Sequence, residues 1–556
     1  MRKYRILAAI LAIALLAGCS SAAAAAAGSG QTETEKAELS ATATPQEPSA
    51  TESASTAEAA EIDVEDMFTQ RDYEDSYDAA TAISLSDSGS QCDSDGVSVS
   101  GSVVTISKEG TYILSGELSD GMVIVDAEKT DKLQLVLNGV SIHSASSAAI
   151  YVRQADKVFI TLAPESVNTL ATDGEYVAID ENNIDAVIFS KDDLTLNGSG
   201  SLIVNGSFGH GIVAKDDLVL TGGKCIITAA GHGLCGKDSL RVADGDITVT
   251  SGKDGLHAGN NDDDSDGFIY IAGGSITVSA ADDGMHANGA LTVDGGVISI
   301  TESYEGLEGL SVEIRGGEID ITASDDGVNA AGGNDQSGFG GFGGGDSFAA
   351  DSDCYVSISG GKIKINASGD GIDSNGALTV SGGETCVFGP TNDGNGALDY
   401  AGSATITGGE FVAVGSSGMA MNFGGDSTQG AILTTVSQAA AGAVIKLTDS
   451  KGSVLAEYTA EKKFNSVLIS CPGIVAGETY TLTVDGESTE IVMDSLIYGG
   501  GGMFGGPGGM GPMGGFDRGQ GGTRPDDMPE MPEGMQGGHG GMGGRGQRPE
   551  DMPAEN

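Results

Sequence analysis

The chain has 556 residues, 90 of them glycine, with aromatics at 5%, no tryptophan and a formal charge of −53. With 27 Lys and Arg against 80 Asp and Glu, it argues against a nucleic-acid binder, because neutralising phosphates needs basic clusters. An acidic composition rich in Gly, Ser and Thr reads instead as an extracellular β protein kept soluble by its charge.

In chain order, Arg2-Lys3 precede an apolar run from Ile6 to Ala17. That run is too short to span a bilayer and has the make-up of a secretory signal. It closes on Leu16-Ala17-Gly18-Cys19, which resembles the lipobox of bacterial lipoproteins. The resemblance implies that 1–19 is a signal peptide, that Cys19 is the lipidated N-terminus, and that the protein sits on the outer face of the cell membrane. The alternative is an uncleaved anchor with a chance cysteine. Residues 20–61 are Ala, Ser, Thr, Glu and Gln without the bulk for a core, and read as a tether. The acidic stretch 62–95, with Phe68, Tyr73 and Tyr77, is expected to cap the first coil of a solenoid.

Residues 96–429 carry the main signal. Gly-Gly pairs at 222–223, 273–274, 295–296, 316–317, 360–361, 382–383 and 408–409 recur at roughly 22 residues or, across insertions, more. An alternating strand follows each pair, as in Ile276-Thr277-Val278, Ile298-Ser299-Ile300 and Ile319-Asp320-Ile321. A coil of that length cannot close its own core, so coils must stack, and a parallel β-helix is the economical architecture. The sequence 430–497 changes style and reads as a small antiparallel β unit. From 498 to 556, Gly, Met and Pro dominate and disorder is expected. The insertions Asn260–Gly267 and Gly332–Asp353 are long loops that can edge a binding face.

Between strands lies a second phrase, a carboxylate and a glycine, as in Asp282-Asp283-Gly284-Met285-His286-Ala287-Asn288. Aligned on that glycine, the preceding position reads His210, His232, Asp254, Asp283, Glu305, Asp326, Asp370. Three residues later it reads Val213, Cys235, His257, His286, Glu308, Asn329, Asp373. The apolar residue between them (Ile212, Leu234, Leu256, Met285, Leu307, Val328, Ile372) should face the core, with the two polar columns flanking it and looking outward. Carboxylates stacked ~4.8 Å apart repel by about 0.9 kcal/mol per neighbouring pair even in water. A hard cation would offset this, and Ca²⁺ with oxygen ligands is the natural one outside cells. The candidate ligands are Asp254, Asp282, Asp283, Glu305, Asp325, Asp326, Asp370 and Asp373, and the candidate carbohydrate contacts beside them are His257, His286, Asn288 and Asn329. Solvated Asp-Gly turns are the plain alternative. The repeated Lys-Asp-Asp/Ser-Leu phrases at 191, 215 and 237 should form a structural mixed-charge ladder. Six cysteines remain beyond Cys19; Cys225 aligns with core positions, Cys225–Cys235 and Cys354–Cys386 disulfides stay open, and no zinc-type spacing occurs.

The run Gly-Gly-x-Ile-x-Ile-x-Ala-x-Asp-Asp-Gly-hydrophobic-His/Asn-Ala, at 251–258, 273–289, 316–331 and 360–376, resembles bacterial carbohydrate-binding domain-containing proteins of the cellulose- and pectin-binding β-helix kind. Their fold is similar to that of polysaccharide lyases. Over about residues 90–425 the resemblance implies a right-handed parallel β-helix, bound Ca²⁺ on Asp254, Asp282, Asp283, Asp325, Asp326 and Asp370, and binding of acidic polysaccharide. His210 and His232 depart from the pattern. The expected activity is a monomeric, non-catalytic cell-surface binder of pectin-like glycans or cellulose. Two alternatives stay open, a calcium-dependent lyase using Lys253, Arg315 or Lys362, and a passive adhesin or spacer. The lack of tryptophan favours polar and calcium-mediated sugar contacts over stacking.

Overall fold

The computed structural model describes residues 67–260, 266–331 and 353–500. The signal segment with Cys19, the tether, Asp262, Asp263 and Asp264, most of the 332–353 loop, and the tail beyond 500 lie outside the described residues. Two parallel ladders dominate, a 24-stranded sheet and a 13-stranded sheet, beside a separate four-stranded antiparallel sheet. The molecule is a parallel β-helix, and no helix of the described residues is long and apolar enough to cross a membrane.

One coil shows how the sequence dictates the turn. Ser275–Ala280 forms the first face, Met285–Ala287 the second and Ala290–Val293 the third, after which Gly295-Gly296 turns the chain into Val297–Glu302 of the next coil. The 13-stranded sheet is the second face; the first and third belong to the larger sheet, joined through the long strands Asp217–Ala229 and Ser239–Ser251. Period-2 residues stack in register, so that Ile247, Ile276, Ile298, Ile319 and Ile363 form one ladder with at most 1% exposure. Burying each such side chain contributes about 1.5–3 kcal/mol, which no single coil could collect alone.

Two glycine columns set the corners for different reasons. The second glycine of each Gly-Gly pair adopts a left-handed backbone, +91° at Gly317, and a Cβ there would also meet the Gly296 carbonyl at 3.0 Å. The glycine after each carboxylate is needed for close packing: a Cβ on Gly284 would lie 2.6 Å from both Ile300 Cδ1 and the Gly306 carbonyl. The Asp-Gly phrase therefore reflects a tight corner over core isoleucines more than turn propensity.

The ends are built differently. Residues 67–74 lie along the outer side of several coils rather than only over the first. Asp72, 1% exposed, accepts the Thr195 hydroxyl at 2.7 Å and pairs with Lys157 at 2.9 Å, while Asn197 and Thr221 bond its carbonyl. Thr81–Leu85 then pairs in parallel with Gly110–Leu118, and Val97–Ser100 forms an antiparallel hairpin with Val103–Ile106. At the other end Phe464–Ser470 runs antiparallel to Glu410–Gly415, covering an edge that would otherwise offer unpaired backbone groups. Val444–Asp449, Val454–Thr459, Thr479–Val484 and Glu487–Val492 make the four-stranded sheet, whose core includes Phe388, Val412 and Val414 from the last coils. Among the described residues Cys92, Cys225, Cys235, Cys386 and Cys471 are free thiols, and Cys225 takes a core place in register with Ile247.

Candidate functional site

The second face carries both polar columns. Its strands are only three residues long through the middle coils, and they place the residues as their spacing implies. Cys235, His257, His286, Glu308, Asn329 and Asp373 are consecutive register partners, and the column continues to Asp399. The apolar column Leu234, Leu256, Met285, Leu307, Val328 and Ile372 is wholly buried beside it.

The flanking columns do not simply look outward. Asp254, Asp283, Glu305, Glu308 and Asn329 are 2–6% exposed, because the equivalent side chains of neighbouring coils cover them above and below. Asp282 is exposed, and Asp325, Asp326, Asp370, Asp373, His257, His286 and Asn288 are half-buried. Asn329 turns inward and donates to Glu305 at 2.8 Å.

The first column has a backbone role that its spacing did not reveal. Asp254 Oδ1 accepts the N–H of Asp283 at 3.3 Å, Asp283 Oδ1 that of Glu305 at 3.1 Å, and Asp326 Oδ1 that of Asp370 at 2.5 Å. Asp370 in turn accepts the Gly396 N–H, and His210 Nδ1 accepts the His232 N–H at 2.9 Å. A histidine can therefore stand where a carboxylate is expected, since either supplies an acceptor to the next coil.

Along this ladder the chemistry divides into two stretches. In the earlier coils His210, His232, His257 and His286 stack with ring centroids 4.8, 4.3 and 5.2 Å apart. His257 Nδ1 is 2.7 Å from Asp254 Oδ2, and His286 Nδ1 contacts Asp283 Oδ2 at 3.1 Å and also Glu308. Burial would raise the Asp254 carboxyl, but the adjoining His232 and His257 imidazoles hold it well below the usual carboxylate range. Burial works against a charged His286, yet Asp283 and Glu308 push it up to about 11. Glu305 and Glu308 are both pushed up by burial, and Glu305 further by Glu308 and Asp283.

In the later coils no histidine intervenes. Asp326, Asp370 and Asp373 each offer an oxygen within 4.8 Å of the others. A Cβ on Gly369 would overlap both Asp325 Oδ1 and Asp326 Oδ1, which places the Asp325 carboxylate against the same group. Burial, then Asp370, Asp373 and Asp325, push Asp326 up to about 9. Three further groups could hold an ion by the same distance: Asp254 with Asp282 and Asp283, His232 with Asp254 and His257, and Asp283 with His286 and Glu308. Glu308 and Asp399 extend the set named from sequence. Asp399 escaped because its coil reads Asn395-Gly396, without the carboxylate that marks the others.

Of the basic residues near the acidic face, Arg315 and Lys362 stand at the Gly-Gly corner, away from the columns, and Arg315 is paired with Glu313 at 2.5 Å. Lys253 precedes Asp254 and is exposed. Along the other ladder, Leu194, Leu218 and Leu240 stack in register, and the Lys-Asp phrases stack with them.

Fold and site together define a parallel β-helix with an in-register carboxylate and histidine column on its narrow face. A profile of carbohydrate-binding domain-containing proteins matches residues 100–338, and over that stretch the chain is similar to that family. A carbohydrate-binding domain-containing protein of Acetivibrio thermocellus is 43% identical over 138 residues, covering 24% of this chain and 48% of that protein. The chain thus spans about half the length of this curated relative. A solved gadolinium derivative of the polysaccharide lyase-like protein from C. thermocellum is 34% identical, covers 44% of this chain and 95% of that one, and has a TM-score of 0.37.

Proposed function

We propose that the protein is a cell-surface lipoprotein, held by a lipid on Cys19, that binds acidic polysaccharide through Ca²⁺ on the later coils of the ladder. The observation that carries this is the Asp326, Asp370 and Asp373 group, three carboxylates within 4.8 Å with Asp325 beside them. Burial and mutual repulsion make this arrangement costly without a cation, and Ca²⁺ is satisfied by oxygens alone. Asp254, Asp283 and Glu305 lie on the same column nearer the histidines, with Asp282 beside them, and contribute to the negative field that draws cations to the face.

A polymer of uronates and a chain of charge −53 repel each other unless a cation bridges them. The match to carbohydrate-binding domain-containing proteins over residues 100–338 supports a glycan as the partner. Half-buried Asn288 would touch the sugar directly, as would His257 and His286, whereas Asn329 would act from within by fixing Glu305. The test is co-sedimentation of the purified protein with insoluble pectin, polygalacturonate gel and cellulose, followed by ultraviolet detection of unsaturated uronate product. Binding to the acidic glycans without product supports the reading. Release of product would make the protein a lyase, and failure to bind any of the three would leave a spacer.

A further inference from the structure

The earlier coils present a donor set that the calcium reading does not use. His232 Nδ1 and His257 Nδ1 lie 3.0 and 2.7 Å from the same atom, Asp254 Oδ2. One coil on, His286 Nδ1 stands between Asp283 Oδ2 and Glu308 Oε2. Each trio has its donor atoms within 4.8 Å of one another.

Imidazole nitrogen is a poor ligand for Ca²⁺ and a good one for Zn²⁺, Cu²⁺, Ni²⁺ and Co²⁺. Two histidines and a carboxylate, with a fourth position left to water, is a ligand set that zinc-class ions accept. Neighbouring ligands on a tetrahedral zinc ion stand about 3.3 Å apart, from metal–ligand distances near 2.05 Å. The atoms around Asp254 Oδ2 would need to part by only a few tenths of an ångström.

A second observation points the same way. Glu308 is 3% exposed, and its Oε1 has no hydrogen-bond partner. His232 Nδ1, although 3.0 Å from Asp254 Oδ2, makes no hydrogen bond either. A buried, unmatched carboxylate oxygen costs about 1–3 kcal/mol or more unless something satisfies it. An unmatched carboxylate acceptor at the second trio, and at the first a His232 ring nitrogen aimed at Asp254 without an aligned hydrogen bond, are what a chelated cation would complete.

We propose that the histidine stretch of the ladder is a transition-metal site, with His232, Asp254 and His257 holding one zinc-class ion and Asp283, His286 and Glu308 a second. It is separate from the Asp326, Asp370 and Asp373 group and does not rest on the calcium reading. The helix then sorts cations along its length, soft-tolerant nitrogen donors first and oxygen-only donors later.

Cobalt(II) is the probe, because its visible ligand-field absorption reports nitrogen ligation directly. The chelator-stripped full chain is titrated with Co²⁺ in the presence of excess Ca²⁺. The proposal expects a saturable visible band of a low-symmetry, nitrogen-ligated site, bleached by added Zn²⁺ and undisturbed by Ca²⁺. His257→Gln and His286→Gln should each weaken Co²⁺ binding by at least about tenfold, while Asp373→Asn leaves it unchanged. Circular dichroism of each metal-free variant establishes that it is folded. A wild-type chain that gives no such band, or one that Ca²⁺ displaces, overturns the proposal without reference to any variant. Folded histidine variants with wild-type Co²⁺ affinity also overturn it.

Discussion

Asp326→Asn separates the two roles of the carboxylate column. In the folded chain without a cation, burial and the neighbouring aspartates push Asp326 up to about 9 from an ordinary value of 3.8. A carboxyl whose folded value is raised opposes folding at every pH above its unfolded value, since the chain must take up a proton to fold. Between 3.8 and pH 7 that cost is at most about 4 kcal/mol, at about 1.4 kcal/mol per pH unit. Asparagine removes the cost and keeps an Oδ1 to accept the Asp370 N–H. The metal-free variant should therefore be more stable than the wild type at pH 7. Asp326→Ala, which strands that N–H, should forgo about 1–3 kcal/mol of the gain. With Ca²⁺ at about 10 mM, and a site in the 10⁻⁴–10⁻³ M range of extracellular modules, the wild type gains about 1.4–2.7 kcal/mol. The asparagine variant should gain little. Urea unfolding of both proteins in chelator and in Ca²⁺ reads all four states. A metal-free Asp326→Asn chain less stable than the wild type, or equal Ca²⁺ shifts in both, would refute the reasoning.

Met285→Asp should destabilise the fold by several kcal/mol, because Met285 is wholly buried between Leu256 and Leu307 and the new charge would have no partner; wild-type thermal melting would show that the position faces out. Gly317→Ala should cost about 1–2 kcal/mol for the left-handed backbone alone, with the clash at the Gly296 carbonyl adding to it, as read by urea titration. Burial opposes a charged Asp72, but its bonds to Thr195 and Lys157 hold its carboxyl below the ordinary value. Its folded value is thus depressed, so its contribution is present above the unfolded value and fades as pH falls through the folded one. Asp72→Asn should lower stability at neutral pH by about 3–5 kcal/mol and flatten the acid limb of the stability profile; an unchanged limb would show that the 67–74 segment does not support the coils.

The repeat made most of the β-helix legible. Gly-Gly pairs fix the corner, and alternation fixes which side of each strand is buried, so Met285, Leu307 and Val328 could be placed together from spacing alone. Spacing does not report depth. Glu308 and Asn329 sit on a column that points away from the core, yet the coils above and below close over them, and only a stacked structure shows that. Nor does a one-dimensional pattern show that Asp254 and Asp283 bond the backbone of the following coil, or that His232, His257 and Asp254 meet across coils 22 and 25 residues apart. The 67–74 strap was out of reach for a related reason. Asp72 meets Thr195 through a contact 123 residues long, which leaves no local trace in the sequence.

The central claim is that a cation joins two polyanions. Equilibrium binding of the full chain to soluble polygalacturonate, measured in millimolar Ca²⁺ and again in excess chelator, tests it most directly. The account predicts saturable binding that chelation abolishes, Ca²⁺ restores, and Asp326→Asn with Asp370→Asn weakens. Binding that persists undiminished in chelator would contradict it and move the glycan to the Lys191, Lys215 and Lys237 ladder.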